Sequence, residues 1–105
     1  MTRFAFKMYL KPGFEAEYEK RHAALWPELR QQITDSGIRN YTIFWDRDTN
    51  ILFGYQEVEG DHNSQEAAAA DEITRRWWDH MADIMEVNPD NSPVTIPLKE
   101  VWHMD

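Results

Sequence analysis

The chain has 105 residues, 19 acidic and 11 basic side chains, a formal net charge of −8 and no cysteine. Its length suits one domain spanning 1–105 with a modest core. The absent thiols exclude disulfide frameworks, thiolate metal sites and cysteine nucleophiles, and the acidic balance argues against a nucleic-acid backbone partner. Aromatic residues make up 13%, including 5 Trp, although the mean hydropathy is only −0.73. Much of the apolar mass therefore lies in large flat rings, which can serve as core, interface or ligand platform.

Phe4, Phe6, Met8 and Leu10 alternate with Ala5, Lys7 and Tyr9, the pattern of a half-buried strand, punctuated by Pro12-Gly13. From Phe14 the spacing becomes helical: Phe14, Tyr18, His22, Leu25, Leu29 and Ile33 fall near one stripe. Pro27 cannot donate an interior helical hydrogen bond, so the helix is expected to kink or restart there, and Gly37 suits its end. Residues 38–45 and 51–58 read as strands around the turn chemistry of 46–50. The alanine run and the spacing of Ile73, Trp77, Met81 and Ile84 predict a helix over 65–85. A turn cluster at 88–93 then leads to a final alternating strand over 98–104.

The resulting order is β-α-β-β-α-β, a ferredoxin-like α+β arrangement. Helices on one face of an antiparallel sheet leave the other face open. Two copies packed sheet to sheet would cover it, so a homodimer in the form of a dimeric α+β barrel is expected. The N-terminal apolar pattern is interrupted by Lys7 and lacks a cleavage signal, and no apolar run is long enough to span a bilayer. A soluble, cytoplasmic protein with no membrane partner is the expectation.

Tyr18 and His22 are four apart, hence stacked on one helix face. An imidazole beside a phenol on an inward stripe suits proton exchange near neutral pH, or else a hydrogen-bonded core histidine. Trp77 and Trp78 are adjacent, about 100° apart on a helix, so one can pack inward while the other borders a cleft or an interface. Tyr41 alternates with Ile43 and Trp45 on a face that meets either a partner or a cavity. His22, His62, His80 and His103 are scattered without metal-ligand spacing, and no glycine-rich phosphate loop or nucleophile elbow is present. Neither a metal nor an organic cofactor is expected.

Four stretches taken in order, EYEKRHAALWPEL at 17–29, NYTIFWD at 40–46, RRWWDHM at 75–81 and NPDNSPV at 88–94, resemble the L-rhamnose mutarotase family. The likeness covers nearly the whole chain; it fades over 60–72, and Trp102 stands where the family often has Phe. The resemblance implies a dimeric barrel that interconverts the α and β anomers of L-rhamnose by opening and reclosing the pyranose ring. It implies His22 as the proton donor and Tyr18, Tyr41, Trp77 and Trp78 as substrate-binding residues, with no metal. Two other classes fit the architecture: a small dimeric monooxygenase or haem-degrading enzyme, and a non-enzymatic ligand-sensing domain. The paired tryptophans and the NPDNSP segment do not point to the first, and no DNA-binding segment accompanies the second.

Overall fold

The alternation at the N-terminus forms strand β1, Thr2–Tyr9, which buries Phe6 and Met8. The structure, a computed structural model, describes residues 2–59 and 71–105. Next come helices α1, Glu15–Ala23, and α2, Pro27–Asp35. The hairpin of β2, Ile38–Asp46, and β3, Ile51–Val58, follows. Helix α3, Glu72–Met81, and the short strand β4, Ile96–Leu98, complete the described elements. The four strands form an antiparallel sheet in the order β2-β3-β1-β4. This is the expected ferredoxin-like α+β arrangement, with its first helical layer broken in two. No helix among the described residues is long and apolar enough to cross a membrane.

Pro27 decides the break. It occupies the first turn of α2, where its missing N–H needs no intrahelical acceptor, so the helix restarts there rather than kinking. Gly37 follows α2 with φ +83°, the left-handed conformation that glycine adopts most readily. Within the expected stripe Tyr18 and Leu29 are buried and His22, Leu25 and Ile33 are half-buried. Phe14 departs from it, because it caps α1 with non-helical backbone and its ring stays exposed.

The helices cover the sheet face that carries Phe6, Met8 and Leu52, and these join Tyr18, Leu29, Trp77, Trp78 and Met81 in one core. Gly54 lies opposite Phe6 in the register, and a β-carbon on Gly54 would occupy the space of the Phe6 ring. Gly54→Ala is therefore expected to lower stability by about 1–3 kcal/mol, the usual cost of overpacking a core. A thermal midpoint equal to that of the parent protein would contradict this packing.

The opposite sheet face carries Phe44 and Phe53 as a cross-strand pair, with Ile96 and Leu98 on β4 beyond β1. Phe44 is 64% exposed, Ile96 42% and Leu98 39%. This is the open apolar face expected from the sequence.

Two boundaries differ from the expectation. Residues 65–70 of the predicted helix lie outside the described residues, and α3 ends at Met81 instead of reaching Met85. Backbone groups just beyond it bond to the end of β1: the Lys11 N–H donates to Ile84 O at 2.9 Å, and the Glu86 N–H to Tyr9 O at 3.0 Å. These bonds compete with helix continuation.

The last strand spans Ile96–Leu98 rather than 98–104. Leu98 pairs with Ala5, so Glu100 comes opposite Arg3, and the two side chains meet at 2.7 Å. Beyond Val101 the register runs past Thr2, where β1 begins. The alternation at 102–104 thus has no strand to pair with.

Candidate active site

Four residues make slightly more than one helical turn, and α1 sets the Tyr18 and His22 rings face to face, with centroids 4.3 Å apart and 30° between planes. From α3, Trp77 meets the His22 ring edge-on at 5.4 Å. Trp78, also buried on α3, and Tyr41 from β2 complete the group. All five line one cleft of about 990 Å3, and they also line a smaller cavity of about 70 Å3 closed on one side by Asn91 and Pro93. Both tryptophans are thus buried and both border the cleft, so neither is purely core.

Tyr41 owes its place to an irregularity in β2. Ile38 points to the helical side opposite Val58, and a strict alternation would turn residue 41 outward. Between Arg39 and Thr42 the register slips by one residue, and Asn40 adopts φ 49°. Such a bulge reverses the phase of the strand. Tyr41, Ile43 and Trp45 consequently face the cleft, while Phe44 joins the outer face. Asparagine is among the residues that tolerate this conformation. The Asn40 amide donates to Glu57 Oε1 at 2.9 Å, tying the bulge to β3.

The histidine tautomer follows from its partner. His22 Nδ1 lies 3.0 Å from the Tyr18 carbonyl oxygen, which can only accept. Nδ1 therefore carries the hydrogen and donates, which leaves Nε2 with a lone pair in the neutral ring. Burial lowers the His22 pKa below its ordinary value of 6.5, and the bond to the Tyr18 carbonyl opposes that shift only in part. Burial also raises the Tyr18 phenol well above 10, helped by nearby Tyr41, so Tyr18 keeps its proton throughout the neutral range. At pH 7 the inner cavity presents a neutral base, phenols and indoles, with no fixed charge among them.

A second layer holds Trp77. Trp26, just before the break at Pro27, packs edge-on against it at 5.1 Å, and the His80 ring lies 5.5 Å away. Sequence reading did not single out Trp26; its signal was an aromatic residue directly preceding a helix-restarting proline. Among the described residues no three His, Asp or Glu side chains converge as a metal ion would require. The arrangement can grip an uncharged polyol through hydroxyl partners and aromatic faces while exchanging a proton at Nε2.

The chain as a whole is similar to a known family. The family model of L-rhamnose mutarotase matches residues 3–104. An L-rhamnose mutarotase of Phocaeicola vulgatus is 65% identical over 105 residues, covering 100% of both chains. One from Bacteroides thetaiotaomicron is 64% identical over the same span. The crystal structure of an L-rhamnose mutarotase from Formosa agariphila superposes with a TM-score of 0.92 at 52% identity, again over 100% of both chains. Sequence and fold agree, and the chain belongs to the L-rhamnose mutarotase family.

Proposed function

We propose that this protein interconverts the α and β anomers of L-rhamnose, with His22 moving the proton. The observation that supports this reading most directly is the convergence of Tyr18, His22, Tyr41, Trp77 and Trp78 from three separate elements on one cavity. The sugar carries no charge, which suits the uncharged interior. Its methyl group and ring C–H surface pack on the indoles, and its hydroxyls meet the phenols.

Ring opening needs a proton removed from the anomeric hydroxyl and one delivered to the ring oxygen. In our reading the neutral Nε2 of His22 takes the proton from O1. The C1–O1 bond becomes a carbonyl as the C1–O5 bond breaks, and its electron pair goes to O5. Both oxygens are bonded to the same carbon, so the protonated ring can then act as proton donor to O5. After rotation about C1–C2 the steps run in reverse on the other carbonyl face. Tyr18, held protonated, orients the histidine through its backbone carbonyl and offers its phenol to the sugar. No other co-reactant enters the balance. A placed acid–base group of this kind contributes about 10²- to 10⁴-fold.

We also propose that a second copy of the chain covers the outer sheet face, because Phe44, Ile96 and Leu98 leave it apolar and exposed. All five proposed site residues come from one chain.

The activity is tested by polarimetry on freshly dissolved α-L-rhamnose. Relaxation to equilibrium is expected to accelerate in proportion to added protein, and a rate independent of protein would refute the reading. The pH profile provides a second check. Acid protonates Nε2 and removes the base, and burial lowers the pKa at which this happens. The acidic limb of kcat/KM, corrected for the spontaneous reaction, is therefore expected below pH 6.5. A limb at or above the ordinary histidine value would contradict the role given to the buried ring.

A further inference from the structure

The contact between His22 and Trp77 joins two helices, α1 and α3, and Arg21, the residue before His22, ties α1 to the C-terminal end of α3 a second time. Arg21 directly precedes His22, about 100° around α1, and its side chain leaves the cleft for the far end of α3. Its Nη1 donates to the His80 carbonyl at 2.7 Å and to Asp83 Oδ1 at 2.8 Å, and Nη2 donates to Asp83 Oδ2 at 3.2 Å. Its Nε donates to Glu17 Oε2 at 2.7 Å, one turn back on α1.

His80 lies one turn beyond Trp77, among the last carbonyls of α3, which have no acceptor role left within the helix. A cation there also complements the negative end of the helix dipole. The Arg21 side chain is only 15% exposed, unlike the other helical ion pair, Arg76 with Glu72, whose side chains are 64% and 78% exposed. Arg21 holds the carboxyls of Asp83 and Glu17 below the usual carboxylate range, so both are ionised at neutral pH.

We propose that Arg21 is the positioning residue for His22: it docks α1 on the C-terminal end of α3 and thereby fixes the imidazole against Trp77 at the cavity wall. This rests on the assignment of proton exchange to His22. Arg21 itself does not line the cleft and touches no substrate. A lysine cannot replace it, because the contact set needs a planar fork serving a carboxylate, a carbonyl and a second carboxylate at once.

The test is the exchange kinetics of Arg21→Gln, Arg21→Lys, Asp83→Asn and the double variant Arg21→Gln/Asp83→Asn, each shown to be folded by circular dichroism. A displaced reacting group costs up to about 10²-fold, so Arg21→Gln is expected to lose about 10- to 100-fold in kcat with KM changed by less than about threefold. Arg21→Lys is expected to recover little of this. Asp83→Asn, at a side chain that is 64% exposed, is expected to lose part of the activity without loss of fold. The double variant should be no worse than Arg21→Gln, because one clamp can be broken only once.

A folded Arg21→Gln with kcat within about twofold of the parent protein would overturn the proposal, as would losses that multiply in the double variant. Should Arg21→Gln fail to fold, an unchanged kcat in Asp83→Asn overturns it instead. A parent protein without exchange activity would overturn the mutarotase reading and this proposal together, whereas a fully active His22→Ala would remove His22 from the mechanism and this proposal with it. An indifferent Arg21 beside an essential His22 overturns this proposal alone.

Discussion

His22→Ala is expected to remove about 10²- to 10⁴-fold of the anomer-exchange rate while leaving the chain folded. The size of the loss follows from what the imidazole does in the cavity. Its Nδ1 is committed to the Tyr18 carbonyl, and its ring lines the cavity with the other four residues, with Nε2 as the free base. Alanine removes that base and leaves the Tyr18 carbonyl without its side-chain donor. The fold tolerates the change because the ring lies on the cavity wall, half-buried, rather than within the close-packed set of Phe6, Met8, Leu52 and Ile84. Substrate affinity should change much less than kcat, since Tyr18, Tyr41, Trp77 and Trp78 remain. Exchange rates and KM measured on the folded variant separate these effects, and an unchanged kcat would take His22 out of the mechanism.

Leu98→Glu is expected to convert a dimer into a monomer. Leu98 lies on the outer sheet face opposite Ala5 and is already 39% exposed in one chain, so a charged side chain there does not disturb the core. In a twofold-symmetric interface the substitution is felt twice. Each lost apolar side chain is worth about 1.5–3 kcal/mol, so the dimer dissociation constant should rise by about 10²- to 10⁴-fold. Sedimentation at micromolar concentration reads this directly. A parent chain that sediments as a monomer, or a variant that remains dimeric, would refute the proposed use of this face.

These outcomes rest on features that differ in how plainly the amino-acid sequence shows them. Strand β1 could be read from its alternation, because the period-two pattern reports directly which face is buried, and β2 and β3 from strand-favouring residues on either side of the 46–50 turn. The helix restart at Pro27 was readable for a similar reason: proline's missing donor is a local property of one residue. The helix spacing likewise paired Tyr18 with His22.

What escaped sequence reading depends on partners far along the chain. The end of α3 is set by backbone bonds from Lys11 and Glu86, and β1 has no residue left to pair with 102–104. The bulge at Asn40 left a trace, since Ile38 and the Tyr41, Ile43, Trp45 series fall out of phase, but only the register with β3 explains it. Arg21 resembled the other surface charges of α1 until Asp83 and the His80 carbonyl were brought to it across 62 and 59 residues. The local pairings of the site were thus written in spacing, whereas its assembly depended on register and helix docking.

The most direct test of the central claim is saturation-transfer NMR on L-rhamnose at anomeric equilibrium. One anomeric proton is saturated and the loss of signal from the other is followed as protein is added. Transfer is expected to grow in proportion to the concentration of the parent protein and to fall to the spontaneous rate with His22→Ala. Transfer that stays at the spontaneous rate at every protein concentration would contradict the account.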